Sequence, residues 1–175
     1  MKNGAEFTIE LPEVGDEIFL APMHIQSWKE TYVPLESALT DAVVDEMLNF
    51  LLEDTFFRKN TIQEALAHPE KVLYRVVKNA NGDIVGFLHG SKHEKYNELE
   101  AIYLLNEAKG LGIGGSLMKI FMDWIDKDKS SRLEVFSSND SAIGFYVKYG
   151  FVKTDKEMEP YNGILPVTEM VRAAG

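Results

Sequence analysis

The sequence has no cysteine. Disulfides and thiolate metal sites are therefore excluded, and a reducing cytoplasm suits the composition. No apolar run approaches the ~18 residues of a membrane span. The start, MKNGAEFTIELPEVGDEIF, lacks the apolar core of a secretory leader, so the expectation is a cytoplasmic chain without membrane contact. Basic residues are scarce where a nucleic-acid binder needs them. Residues 1–70 hold 4 Lys and Arg against 14 Asp and Glu, a net of −10, while residues 71–175 hold 14 of each. All of the excess negative charge thus lies in the first 70 residues, and a nucleic-acid partner is not expected. That charge serves solubility, or it forms a field that attracts cations.

Several catalytic signatures are also missing. The zinc motif H-E-x-x-H is absent, because His93-Glu94 leads to Asn97; no metal is expected. There is no G-x-S-x-G elbow for a serine nucleophile. No repeat, low-complexity tract or linker-like run divides the chain, so residues 1–175 are read as one domain.

What is present is a change of periodicity near residue 72. Before it, residues 7–10 suit a short strand, residues 21–32 a helix interrupted beyond by Pro34, and residues 41–52 a helix capped by Thr40 or Asp41. Residues 61–67 add another helical turn or two. After it, residues 72–77 and 84–89 flank the turn Asn79-Ala80-Asn81-Gly82-Asp83 as a hairpin. Residues 98–105 and 132–136 read as strands. Residues 115–127 place Leu117, Ile120, Phe121, Trp124 and Ile125 on one helical face. Residues 140–149 form a helix stopped by Gly150, and residues 151–154 and 164–170 close the chain as strands. The fold class expected is α/β, a mixed sheet flanked by helices on both faces.

The segment richest in chemistry is LLNEAKGLGIGGSLM, residues 104–118. A strand leads into Gly110, Gly112, Gly114 and Gly115, and these lead into a helix. Such a loop lets backbone N–H groups converge on an anion, and the helix terminus adds partial positive charge. A phosphate or pyrophosphate is the indicated ligand, with a purely structural turn as the alternative. A Walker loop fails because Gly115 is followed by Ser116-Leu117 rather than Lys-Ser. A dinucleotide fingerprint matches at Gly110, Gly112 and Gly115. Its first glycine, however, stands too far from the strand, and strand 132–136 runs into Ser137-Ser138-Asn139 instead of a ribose-binding acid.

Residues 109–114 resemble the Q/R-x-x-G-x-G/A signature of the GNAT superfamily of acetyl-CoA-dependent N-acetyltransferases, with Lys109 at the usual Gln/Arg position. NDSAIGFYVKYGF, residues 139–151, resembles the family's second signature, one helix and one strand further on. The resemblance implies a mostly antiparallel sheet splayed beside a bulge in strand 98–105. It also implies acetyl-CoA in the gap: pantetheine along Leu104, pyrophosphate on the loop formed by Lys109, Gly110, Leu111, Gly112, Ile113, Gly114, Gly115 and Ser116. Asn139 would bond pantetheine, Lys148 the nucleotide phosphates, and Tyr146 would protonate the leaving sulfur. Glu98 matches the base of histone-type members and is slightly preferred to Glu100, which shares its strand face.

The partner implied is a small amine, and a homodimer follows by family analogy alone. In this family the N-terminal helices wall the amine site, so Glu30, Glu36, Asp41, Asp45, Glu46, Glu53 and Asp54 are expected to line an acidic mouth. MHIQSWKETY is also similar to spermidine/spermine acetyltransferases. A polyamine is the first acceptor expected, then protein lysines or N-termini, then aminoglycosides. A non-catalytic acyl-CoA sensor is the alternative without turnover.

Overall fold

The hairpin is the centre of the computed structural model, which describes residues 6–175; residues 1–5, the start of the stretch read above as no leader, lie outside the described residues. Strands β2 (Val72–Lys78) and β3 (Ile84–Lys92) pair antiparallel around the expected turn. There the Asn79 carboxamide oxygen accepts from the N–H groups of Asn81 and Asp83, and Gly82 takes φ 85°, a conformation open to glycine at no steric cost. Short β1 (Thr8–Glu10) pairs with β2. On the other side β3 pairs with β4 (Tyr96–Leu104), and β4 runs parallel to β5 (Ser130–Phe136). Strand β7 (Val167–Arg172) lies between β5 and β6 (Val152–Lys153). The seven strands stand in the order β1-β2-β3-β4-β5-β7-β6, with β4 and β5 the parallel pair.

Helices cover both faces, as the binary pattern requires. On one face α5 (Ile113–Trp124) and α6 (Asp140–Val147) bury Leu117, Met118, Phe121 and Ile143 against Leu73, Leu88, Leu99 and Leu133. On the other, α1 (Glu17–Tyr32) buries Leu20 and Met23 against Tyr74, Val76 and Phe87, together with Ile62 and Ala65 of α4 (Thr55–Ala67). Trp28 and Tyr32 at the end of α1 pack on Leu48 of α2 (Asp41–Leu48).

Several boundaries differ from the sequence pattern, three of them in the helices before β2, while β7 begins at Val167 rather than 164 and α5 runs over Ile113–Trp124 rather than 115–127. Helix α1 begins at Glu17 rather than 21, with Pro22 inside it. The carbonyl that loses its partner to that proline belongs to exposed Ile18, so the loss is tolerated. The helix expected over residues 41–52 is broken at Asn49 into α2 and a single turn, α3 (Phe50–Glu53). Helix α4 starts at Thr55, six residues earlier than its apolar pattern suggests, because the Asp54 carboxylate caps it by accepting from the Phe56 N–H at 3.1 Å. Phe56 and Phe57 there are exposed and obscure the pattern.

Candidate active site

Strand β4 carries one residue more than β3 can match. His89 pairs with Ala101 and Gly90 with Leu99, so Glu100 is the extra residue of a β-bulge. Pairing between β4 and β5 stops at the same place: Tyr96–Leu99 match residues 130–133, and nothing beyond Leu99 pairs with β5. The strands then diverge. Buried Asn97 anchors the paired end, its amide nitrogen 2.9 Å from the Asp126 carbonyl and its oxygen accepting from the Asp126 N–H. The open end leads to a cavity of about 800 Å³.

The glycine loop forms one wall. Gly110 and Gly112 take φ 75° and 83°, and Gly112 sits directly before α5. Among the described residues, no backbone N–H from 110 to 115 donates a hydrogen bond; the first of the helix to do so is Ser116, to the Gly112 carbonyl. Six donors are thus left at the start of a helix whose dipole is positive at that end. A Cβ on Gly114 would lie 3.8 Å from both Leu104 and Phe145, two lining residues, so a larger side chain there would enter the cavity.

The loop is braced from α1. The Glu30 carboxylate accepts from the Asn106 N–H at 2.6 Å, and Lys109 Nζ donates to Thr31 Oγ1 and Asn106 Oδ1, both at 3.0 Å. Burial lowers the Lys109 pKa and nearby Glu30 opposes that shift. Lys109 therefore ties the loop to α1, which leaves anion contact to the backbone.

Helix α6 adjoins the loop, with Phe145 against Gly114. The Asn139 side chain caps it by accepting from the Ala142 N–H at 3.1 Å, and Asn139 faces the cavity. Tyr146 also lines the cavity, and its hydroxyl has no hydrogen-bond partner among the described residues. Burial, with the nearby Tyr103 hydroxyl, holds the Tyr146 pKa far above the ordinary tyrosine range, so the group keeps its proton at neutral pH. The remaining wall is aromatic: Trp28, Tyr32, Tyr103, Phe136 and Tyr161, with Trp28 5.1 Å from both Tyr32 and Phe136 between ring centres.

Of the expected site residues, Leu104, Lys109, Gly110, Gly112, Gly114, Gly115, Asn139, Tyr146 and Glu100 line this one cavity. Leu111, Ser116 and Lys148 are exposed and Ile113 is buried in the core beneath α5; none of the four is in the lining. Glu98 is also outside it. Arg132 grips both Glu98 oxygens, Nε at 3.2 Å and Nη2 at 3.1 Å, so the slight preference for Glu98 over Glu100 finds no geometric support. Of the seven carboxylates expected at an acidic mouth, Glu30 alone lines the cavity; Asp41, Asp45 and Glu46 of α2, Glu53 of α3, and Glu36 and Asp54 beside these helices are not in the lining. The sequence reading missed Glu134, which lines the cavity from β5 on the same strand face as Phe136. It also missed Arg132.

Comparison with known proteins agrees with this geometry. Residues 40–172, more than half of the chain, match the family model described as an acetyltransferase (GNAT) domain. The chain belongs to the GNAT acetyltransferase family. As a GNAT member it is an acetyl-CoA-dependent N-acetyltransferase. No curated protein matches it significantly. Among solved structures it is similar to a PaiA N-acetyltransferase from Thermoplasma acidophilum in complex with coenzyme A, with 22% identity, TM-score 0.75, and coverage of 96% of this chain and 99% of that one. It is also similar to a spermidine N-acetyltransferase from Vibrio cholerae in complex with CoA and spermine, at 20% identity and TM-score 0.61 over 96% and 95% of the two chains. Ard1 from Thermoplasma volcanium gives 24% identity and TM-score 0.61 over 97% and 98%. Identities this low establish the shared GNAT fold. Among the described residues no helix is long and apolar enough to cross a membrane.

Proposed function

We propose that this protein acetylates a primary amine of a small cationic molecule, a polyamine first. Acetyl-CoA would enter where β4 and β5 part, its pantetheine amides pairing with the free edge of β4 near Leu104 and its pyrophosphate meeting the N–H groups of residues 110–115. The amine nitrogen attacks the thioester carbonyl, the C–S bond breaks, and the leaving sulfur takes the Tyr146 proton. Glu100, the bulge carboxylate in the cavity, accepts the proton from the amine. Glu98 is assigned no direct contact with substrate. Cysteine-free composition favours the cytoplasm, and a homodimer is retained by family analogy.

The observation that carries the choice of acceptor is the chemistry of the lining. The carboxylates of Glu100 and Glu134 project from strands on either side of the gap, beside a cluster of five aromatic rings. Carboxylates attract an ammonium at range, and aromatic faces bind it at contact. A linear polyamine would offer one nitrogen to the thioester and a second charge to Glu134. This support differs from the helix acids expected first, since all of those but Glu30 lie off the cavity. The spermidine N-acetyltransferase among the similar structures agrees with it.

The test is free-thiol release from acetyl-CoA with spermidine, spermine, a monoamine, an aminoglycoside and a lysine peptide. Spermidine should react faster than the monoamine. Glu134→Gln should raise its KM about fivefold to tenfold, with little change for the monoamine, and added salt should do likewise. Turnover of the peptide without spermidine would overturn the choice of acceptor.

A further inference from the structure

Behind Glu100 the β3–β4 hairpin holds a line of polar side chains that the reaction described above does not use. Ser91 Oγ is 2.6 Å from Glu100 Oε1 and 2.9 Å from His93 Nε2. His93 Nε2 is 3.1 Å from Glu98 Oε2, and Arg132 holds both Glu98 oxygens. The His93 ring stacks on Tyr96 at 4.5 Å, and Arg132 lies 3.8 Å over that same Tyr96 ring. Ligand atoms of His93, Glu98 and Glu100 come within 4.8 Å of one another, but the guanidinium on Glu98 already supplies the positive charge a cation would bring.

The direction of each hydrogen bond follows from the groups themselves. An ionised carboxylate has no proton to donate, so the single Ser91 hydroxyl hydrogen goes to Glu100. The Ser91–His93 contact then needs its hydrogen from Nε2. Glu98 requires the same tautomer independently, since an imidazole lone pair would repel its carboxylate at 3.1 Å. Arg132 and His93 thus both donate to Glu98, the single His93 Nε2–H is shared between Glu98 Oε2 and Ser91 Oγ, and Ser91 donates to Glu100 Oε1.

We propose that Ser91 and His93 are positioning residues for acetyl transfer: they pin one oxygen of Glu100, so that the other is presented to the amine. A bulge residue lacks the regular ladder that normally fixes side-chain direction, and Glu100 is exposed. Without Ser91 its carboxylate would sample several rotamers and spend less time at the reacting nitrogen. This rests on the reading of Glu100 as the base.

The experiment uses the full chain, acetyl-CoA and whichever amine of the panel reacts fastest, with coenzyme affinity measured by calorimetry. Ser91→Ala should lower kcat about tenfold, the scale of one charge-assisted hydrogen bond, with coenzyme affinity unchanged. Ser91→Thr, which keeps the hydroxyl, should restore it. His93→Ala should lower kcat and His93→Gln, which keeps a donor, should recover most of the loss. Since both residues act through Glu100, adding Ser91→Ala to Glu100→Gln should cost nothing more. If His93→Ala does not fold, the Ser91 variants and the double variant decide alone. Wild-type kcat in Ser91→Ala beside a hundredfold loss in Glu100→Gln overturns the positioning role and leaves the base in place. Equal losses in Ser91→Ala and Ser91→Thr also overturn it. Wild-type kcat in Glu100→Gln removes the base itself.

Discussion

Leu99 and Ala101 stand two residues apart on one strand and face opposite sides of the sheet. Leu99 packs with Phe121 under α5, while Ala101 packs with Phe87 and Tyr74 under α1. Regular alternation would put them on the same face. Glu100 between them is the inserted residue, and the change of face is its consequence. The same insertion ends pairing with β5 and leaves the Glu100 side chain at the gap.

The glycine loop gives the first prediction. Gly114→Val should fold, because Gly114 has ordinary φ and its Cβ direction meets only van der Waals contacts. The added methyls would occupy the cavity, and coenzyme affinity should fall at least about tenfold. Gly112→Val differs: at φ 83° a β-branched residue is strained, so stability should fall by roughly 1–2 kcal/mol as well. Calorimetry with coenzyme A and thermal melts separate the two effects. Wild-type affinity in a folded Gly114→Val protein would sink the pyrophosphate assignment.

Tyr146→Phe removes a hydroxyl that has no hydrogen-bond partner among the described residues. The melting temperature should hardly change, while kcat should fall about 10²–10⁴-fold, as for loss of a general acid. Because burial keeps the Tyr146 pKa raised, its proton should remain available and the rate should show no Tyr146-dependent decline up to pH 10. Unchanged turnover in Tyr146→Phe would make the residue a packing aromatic only.

The brace from α1 supplies a third prediction. Glu30→Ala removes the acceptor of the Asn106 N–H and should loosen the strand-to-loop junction. Coenzyme affinity should drop about fivefold to tenfold, consistent with one charge-assisted bond, with kcat at saturation retained. A large fall in kcat with affinity intact would assign Glu30 to the chemistry instead.

Stability should also depend on pH through two histidines off the reaction path. Burial depresses His24 to about 3, with Arg58 adding to the effect, and burial depresses His89 to about 4, again aided by Arg58 and opposed by Glu98. Below pH 6.5 the unfolded chain binds protons that the folded one refuses. Each histidine therefore removes stability as pH falls from 6.5 toward its folded value, at up to about 1.4 kcal/mol per pH unit. Urea unfolding from pH 7 to 4.5 should show this slope, and His89→Gln should reduce it by one proton. A flat profile in the wild type would show that neither histidine stays neutral.

The sequence made the glycine loop and the α6 segment legible because both depend on backbone demands that residue identity exposes: glycine at positive φ, and an asparagine capping a helix. Glu98 and Glu100 could not be separated in the same way. Their order of merit depends on where the bulge falls, and that is set by pairing with β3, which no local pattern records. Ser91 and His93 were invisible for a related reason, since only the hairpin register brings Ser91 opposite Glu98 and beside Glu100. Charge counting failed over residues 36–54 because it gives a total without direction. Those acids lie on or beside short helices broken at Asn49 and Asp54 and do not line the cavity. Glu134 had a usable signal: it shares the face of Phe136 by alternation and stands near the end of the strand that precedes the second motif.

The short β4–β5 ladder has a mechanical consequence. Four residue pairs, reinforced by Asn97, form the whole seam between a half-sheet of β1 to β4 and another of β5 to β7. A coenzyme lying along the open edges would act as a rivet through both plates, lengthening a joint that is otherwise only four pairs long. Any molecule that binds the folded state raises stability by mass action, and here the gain should be concentrated at the seam. Slowed amide exchange should therefore spread along Glu100–Leu104 and Glu134–Phe136 together, with the two plates opening as one body when coenzyme is bound and as two when it is not.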